Sequence, residues 1–373
     1  MERNLLNILE LPDQPRKIVR RSLMMNRSAS KFLLNIYQNV LSNNTTTSNN
    51  EEYGNMEEFN FSDRYINIID RSDLIMTFGA HNPHSGNASK MNRGRRIWFD
   101  VSEISIREHI IAAELRLYQS LSKGVELRKA YIIAIYIVAQ MKYENRKKLY
   151  IDSTSTMTDK SGWIILNVTQ ALEYWVKHPK KNRGLYLAVY RDDYTGRVIR
   201  PDDIGIVGVS GVSDKQPFMV GFFKSSDIHR KYGTLSKQKR DIKFQNDYTN
   251  SINIKDNPFV NLVMKKQRKN ICSIRKLYIS FKELQWENWI IAPDGYDAYY
   301  CSGECTFPMN THMNATNHAI VQTLVHLVKP YEVPKPCCVP TKLSPISVVY
   351  FLDESNIVLK KYKNMVIDSC GCH

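Results

Sequence analysis

All seven cysteines of this 373-residue chain lie between Cys272 and Cys372, and residues 1–271 contain none. They fall as a single Cys272, then CSGEC (Cys301, Cys305), then the adjacent pair Cys337 and Cys338, then CGC (Cys370, Cys372) one residue before the end. A chain so divided has one end that covalent bridges can hold and a longer beginning that packing alone must hold. The odd count leaves one thiol for a partner on another chain.

The length implies two or three domains. No run of about 18 apolar residues is present, so no helical membrane span is expected. The start, MERNLLNILELPDQPRK, is charged at once and has no apolar signal-peptide core. Taken alone it argues against secretion, whereas the cysteines argue for it. The expectation is a secreted precursor whose leader is absent from this chain. Sequons occur at Asn26, Asn43, Asn44, Asn60, Asn87, Asn167 and Asn314. Asn167 and Asn314 stand beside ordered-looking segments and are the candidate glycosylation sites.

The formal net charge is +15, and residues 241–373 hold 15 Lys and Arg against 12 Asp and Glu, so most of the excess lies upstream. No zinc-finger, RNA-recognition or basic-zipper pattern accompanies the charge, which disfavours nucleic acid. For a secreted chain the expected polyanion is heparan sulfate.

Residues 1–12 and 28–41 carry apolar residues at helical spacing. In the second, SASKFLLNIYQNVL, these are Phe32, Leu33, Ile36, Tyr37 and Val40 behind a serine cap. Such helices either pack on their own domain or wrap another one, since neither looks self-sufficient. Residues 42–62 and 81–96 read as loops. From Ile97 the pattern changes to short β-branched and aromatic runs: IWFDVS, AAELRLYQS, LRKAYIIAIYIVAQM, KKLYIDST, GWIILNVTQAL, GLYLAVY and QPFMVGFF. They predict a β-sandwich. The organisation expected is a helical and loop segment over 1–96, a sandwich over 97–226, a polar Lys- and Asn-rich linker over 227–270, and a cysteine domain over 271–373.

The cysteine domain reads as strands (YISF, WIIAP, DAYYC, ISVVYFL, NIVLKKY) and one helix over 316–328, stopped at Lys329-Pro330. So thin a core needs covalent staples. Cys337 and Cys338 are neighbours, so on a strand one faces inward and the other outward. CSGEC and CGC are two short segments that a pair of bridges could close into a small ring. Gly303 and Gly371 would then leave room for a third bridge to pass through. Zinc is disfavoured because the spacings are CxxxC, CC and CxC, with no CxxC, and no cofactor is expected.

CSGEC, PKPCCVP and the terminal SCGCH resemble the cystine knot of the transforming growth factor β superfamily. WENWIIAPDGYDAYYCSGEC, MNATNHAIVQTLVH and LKKYKNM are similar to bone morphogenetic proteins, in particular the osteogenic-protein and glass-bottom-boat subgroup. That similarity is continuous over about 103 residues. Upstream, NLLNILELPDQPRK and RIWFDVSEI resemble the same subgroup's prodomain. The resemblance implies a mainly β fold, in which helices plus a β-sandwich precede a cystine-knot domain of two finger hairpins and one helix. It implies the pairings Cys272–Cys338, Cys301–Cys370 and Cys305–Cys372, with Cys337 linking two chains. It also implies that the helix of one protomer fills the concave side of its partner's fingers.

Several apolar residues of this domain look too exposed to be core, and such patches on small secreted proteins mark interfaces. The resemblance assigns Trp286, Trp289, Phe307, Pro308, Met309, Tyr362 and Met365 to the type I receptor surface. It assigns Ala292, Pro293, Ser347, Val348, Val349 and Leu359 to the type II receptor knuckle. The competing reading is that some of them fill the dimer interface. The implied mechanism is a disulfide-linked dimer, of this chain or with a paralogue, that assembles type I and type II serine/threonine kinase receptors and activates SMAD signalling. Further partners implied are the chain's own prodomain and extracellular antagonists. Processing is expected after Arg240 of SKQKR, with an accessory cut after Arg96 of RGRR as the alternative to that motif simply starting a strand. KKQRK at 265–269 reads as a heparan-sulfate contact.

An enzyme is not expected, since no G-x-S-x-G, H-E-x-x-H or Walker loop occurs, and His318 and His326 share a helix that suits an interface. Two other readings stand beside the growth factor: a cystine-knot antagonist that binds ligands, and an intracellular basic zinc protein. Non-reducing electrophoresis separates them, because only the first two predict bridged cysteines and the growth factor predicts a dimer that halves on reduction.

Overall fold

The computed structural model describes residues 21–44, 63–82, 95–121, 129–139, 147–192, 196–225, 271–309 and 313–373. The helix expected at 1–12, the linker with Arg240 and the KKQRK cluster lie outside the described residues. The chain forms two units. The first comprises Met1–Ser226 with Phe281–Asp294 and Ser347–Lys361; the second comprises Asp227–Ser280, Gly295–Ile346 and Tyr362–His373. The division does not follow the cysteine boundary: two segments of the cysteine-bearing region belong with the cysteine-free one.

In the first unit, helices α1 (Arg21–Met25), α2 (Ser28–Asn44) and α3 (Asp63–Arg71) precede strand β1 (Leu74–Gly79). Residues 1–96 read as helix and loop from sequence, so β1 is an addition. Its run LIMTFG is almost entirely buried, which removes the alternation that marks a half-exposed strand. β1 pairs with β9 (Phe218–Lys224) on one side. On its other side it pairs antiparallel with β16 (Asn356–Cys372), from Leu74 opposite Lys360 to Phe78 opposite Asn356. The sheet continues through β3 (His109–Gln119) to β6 (Gly162–Asn167), and in the other direction through β15 (Cys338–Phe351) to β12 (Ile290–Ala292).

A second sheet runs β2 (Arg96–Ile97), β7 (Leu185–Arg191), β4 (Ala130–Ala139), β5 (Lys147–Met157), with β8 (Val198–Ile199) beside β7. Alternate residues Ile133, Ile135 and Val189 of this sheet, and Leu115, Leu117 and Leu166 of the first, are completely buried. At the end of β3, Gln119 ties the sheets: its Nε2 donates to Met157 O at 3.1 Å and its Oε1 accepts from Thr156 Oγ1. The run GWIILNVTQAL does not stay extended. β6 stops at Asn167, whose Oδ1 accepts from Thr169 N at 3.0 Å, and α4 (Thr169–Lys177) begins. The switch follows the change of period, since Ala171, Leu172, Trp175 and Val176 recur at helical spacing and are buried. Gly221 makes room for α4: a Cβ there would stand 3.2 Å from Leu172 Cδ2 and 2.7 Å from the Phe223 ring.

The second unit is held by three disulfides, with short ladders between β10 (Ser273–Arg275) and β14 (Tyr300–Ser302) and between β11 (Tyr278–Ser280) and β13 (Gly295–Asp297). Its helix α5 (Asn317–Val328) is capped by Thr316, whose side-chain oxygen accepts from Ala319 N.

Candidate functional site

The bridges of the second unit are Cys272–Cys338, Cys301–Cys370 and Cys305–Cys372. The sulfurs of Cys272, Cys305 and Cys372 all lie within 4.8 Å of one another. One bridge therefore runs directly against another, and each of these sulfurs is taken by a disulfide. Gly303 has φ +125°, and a Cβ on it would meet Ile271 C and O at 2.4 Å and Cys272 N at 2.6 Å. It admits the backbone leading into the Cys272 bridge. Gly371 has a different reason: its Cβ would meet Asn314 O and Thr341 Cγ2, both at 2.7 Å. The expectation that both glycines clear a path for the third bridge is corrected for Gly371, which admits neighbouring chain instead.

Cys337 is exposed and unbridged. Its main chain is fixed by a reciprocal pair, Cys337 N to His373 O at 2.9 Å and His373 N to Cys337 O at 3.0 Å. α5 buries only Ala319 and Thr323. Val321, Leu324, Leu327 and Val328 are exposed, Val328 by 78%. Such a row on one helix is an uncovered apolar face.

The residues assigned to the type II knuckle all fall in the first unit, and they are not exposed. Val348 is 3%, Val349 0% and Leu359 6% exposed; Ala292, Pro293 and Ser347 are half-buried. Within the cysteine domain alone these residues look exposed, because the chain that covers them lies upstream. In the chain, Ile291, Val349, Phe351, Ile357 and Leu359 share one apolar cluster with Phe32, Leu33, Ile36 and Tyr37 of α2. Strand alternation also divides the set. Val349 and Phe351 point to the α2 cluster, so Val348 and Tyr350 point to the opposite face, where Tyr350 meets Trp289 edge-on at 5.8 Å.

Polar contacts seal the margins of this cover. Arg27 Nη1 donates to Glu354 O at 2.7 Å, Gly79 N to Ser355 O at 3.1 Å, and Lys361 N to Asp73 O at 2.9 Å. Burial, and then Asp294, push the Tyr37 phenol up to about 12. Behind α2, Arg116 of β3 is 4% exposed. Its guanidinium carbon lies 4.3 Å from the Phe32 ring centroid and 5.2 Å from that of Tyr65 on α3, and Nη2 is 3.0 Å from Glu114 Oε2. Sequence reasoning missed this anchor, because an Arg two residues from a Glu on a strand carries no mark of burial.

The residues assigned to the type I surface are shared between the units. In the first, Trp289 is buried and Trp286 half-buried, their centroids 5.8 Å apart, with Trp286 stacked on Phe281. In the second, Phe307 and Pro308 are exposed, Met309 packs at the edge of the knot cluster, Met365 is half-buried and Tyr362 is buried.

Arg96 lies in β2, opposite Tyr186, and its neighbour Ile97 lies opposite Leu185. The Arg96–Ile97 bond is thus inside a ladder, and Arg96 Nη2 donates to Arg183 O at 3.1 Å. Both candidate glycosylation asparagines are exposed. Asn167 Oδ1 accepts from the amide and hydroxyl of Thr169; Asn314 Nδ2 donates to Cys370 O at 3.2 Å, which engages one of its two amide hydrogens.

Residues 1–222 match the family model of the TGF-beta propeptide, and residues 271–372 that of the transforming growth factor beta like domain. Protein 60A of Drosophila virilis is 39% identical over 384 residues, covering 99% of this chain and 87% of that protein. Protein 60A of Drosophila melanogaster is 36% identical over 391 residues, covering 99% and 85%. Human bone morphogenetic protein 8A is 32% identical over 386 residues, covering 100% and 89%.

Proposed function

The chain belongs to the transforming growth factor β superfamily as a propeptide-bearing growth factor of bone morphogenetic type, a signalling ligand and not an enzyme; from that premise we propose that it is a secreted precursor whose upstream region covers the type II receptor knuckle until it is released. The observation that carries this reading is the burial of Val349 and Leu359 in one cluster with Phe32, Leu33 and Ile36 of α2. A receptor that needs those side chains cannot reach them while α2 is seated. The cover has no cysteine, so contacts that can dissociate hold it once the chain is cut.

The mature ligand acts as a disulfide-linked dimer. The exposed apolar face of α5 and the exposed thiol of Cys337 support this. The dimer brings type I and type II receptor kinases together, which activates SMAD signalling. Trp286, Trp289, Phe307, Pro308, Met309, Tyr362 and Met365 are the proposed type I contacts. Ala292, Pro293, Ser347, Val349 and Leu359 are the proposed type II contacts, with Val348 supporting them from the opposite face. Cleavage after Arg240 releases the ligand, and Asn167 and Asn314 carry glycans. Heparan sulfate at 265–269 and extracellular antagonists are the further partners.

The test compares binding of a type II receptor ectodomain to the uncut precursor and to the ligand freed from its upstream region. Binding by the freed ligand, at least tenfold weaker in the uncut precursor (about 1.4 kcal/mol), is expected. Equal binding by both forms overturns the reading.

A further inference from the structure

The outer face of the second sheet carries four tyrosines that the functions above leave unused. The strand registers place Tyr136 of β4 opposite Tyr150 of β5 and Tyr186 of β7. Tyr190 lies on the same face as Tyr186, four residues along β7, and its hydroxyl is 3.2 Å from that of Tyr136. Tyr136 and Tyr150 meet edge-on at 5.9 Å. The small pair Ala134 and Ala188 lies between Tyr186 and Tyr190 in the register, so the face stays flat. Tyr150 is 57% exposed on β5, the edge strand.

Two cations converge on this block. Lys148 Nζ sits 3.3 Å from the Tyr186 ring centroid, and Arg95 Nη1 donates to the Tyr186 hydroxyl at 3.4 Å. Neither pairs with a carboxylate among the described residues. Arg95 Nε is buried without an acceptor among the described residues. Burial opposes ionisation of the Tyr186 phenol, yet the hydrogen bond from Arg95 and the positive charges of Lys148 and Arg95 bring it below its ordinary value. Two like charges beside one neutral ring repel, and an anion between them would relieve that.

We propose that this face binds a sulfated polysaccharide, with a sulfate held by Arg95 and Lys148 and a sugar ring lying on Tyr150. A pyranose presents a flat C–H face and anionic substituents on one rigid unit, which suits rings and cations side by side on a flat sheet. An acidic peptide would bring anions on flexible side chains without the flat C–H face that matches the exposed Tyr150 ring. The binding chemistry is independent of the receptor reading and of the basic cluster at 265–269.

The full-length chain, with Lys265, Lys266, Arg268 and Lys269 changed to Gln so that this cluster does not compete, would be titrated with a heparin-derived octasaccharide while its remaining lysines are acetylated and counted by mass spectrometry. At ten times the dissociation constant, Lys148 should react about tenfold more slowly from occupancy alone. Lys148→Glu should weaken binding about tenfold, as loss of one charge-assisted contact does. Tyr150→Ala should weaken it as well, while Lys148→Arg retains it. Thermal melting checks that the variants fold; if one does not, the protection of Lys148 in the chain with this face unaltered decides. Unprotected Lys148 with the octasaccharide bound refutes the proposal. So does equal protection by the desulfated sugar, or by polyglutamate, which would assign the face to acidic proteins.

Discussion

Arg116 gives the sharpest handle on the cover, because it holds α2 from behind through Phe32 and Tyr65. Its guanidinium lies over Phe32 of α2 and Tyr65 of α3 and is paired with Glu114, the two side chains being 5% and 16% exposed. Arg116→Met keeps the apolar length and removes the charge. Each desolvated cation–ring contact contributes about 1–2 kcal/mol. Removing one partner of a buried pair costs about 3–5 kcal/mol, because the other charge is left unpaired. The terms overlap and are not additive. Taking about 3 kcal/mol as the part that falls on α2 docking, the helix should open roughly a hundredfold more often. Hydrogen exchange reads this directly: amides within 31–40 should lose about two orders of magnitude of protection, while those of β4 and β7 keep theirs. The double variant Arg116→Met, Glu114→Gln separates the causes, since it restores the unpaired-carboxylate share and leaves the lost ring contacts. Unchanged exchange in α2 of a folded Arg116→Met chain would refute the reasoning, and would mean that apolar packing alone seats the helix.

Three further outcomes are expected. Gly303→Ala should abolish formation of the three-bridge product, because φ +125° and a 2.4 Å approach to Ile271 leave no room for a methyl; peptide mapping of the disulfides checks it, and native bridges in the variant would sink the account. Cys337→Ser should run as a monomer on non-reducing electrophoresis yet sediment as a dimer, whereas adding Leu324→Asp on the exposed face of α5 should give monomers by sedimentation as well. A convertase acting on the folded chain should leave the Arg96–Ile97 bond intact, since β2 pairs with β7 there; a fragment beginning at Ile97 under native conditions would show that β2 opens readily.

Where sequence reasoning worked, the signal was local. The period of SASKFLLNIYQNVL marks α2, and the apolar run stopped at Lys329-Pro330 marks α5. Where it failed, the deciding partner was far away along the chain. LIMTFG shows no alternation because both of its faces are covered, Ile75 by the α2 cluster and Leu74, Met76 and Phe78 on the opposite face, and its ladder partner β16 is remote along the chain. Arg116 carries no local mark of burial because its partners, Phe32 and Tyr65, are remote in sequence. Val348 and Val349 were grouped as neighbours, yet consecutive strand residues face opposite ways.

The sequence by itself determined the composition of the two regions: which can be stapled, which must rely on packing, and which cysteine is odd. Spacing and turn chemistry are written in adjacent residues, so they are readable without coordinates. Only the tertiary structure decided that Val349 and Leu359 are buried against α2 and that the chain's units cut across its cysteine boundary. Burial is a property of who packs against whom, and an apolar valine looks the same in a sequence whether water, α2 or a receptor faces it.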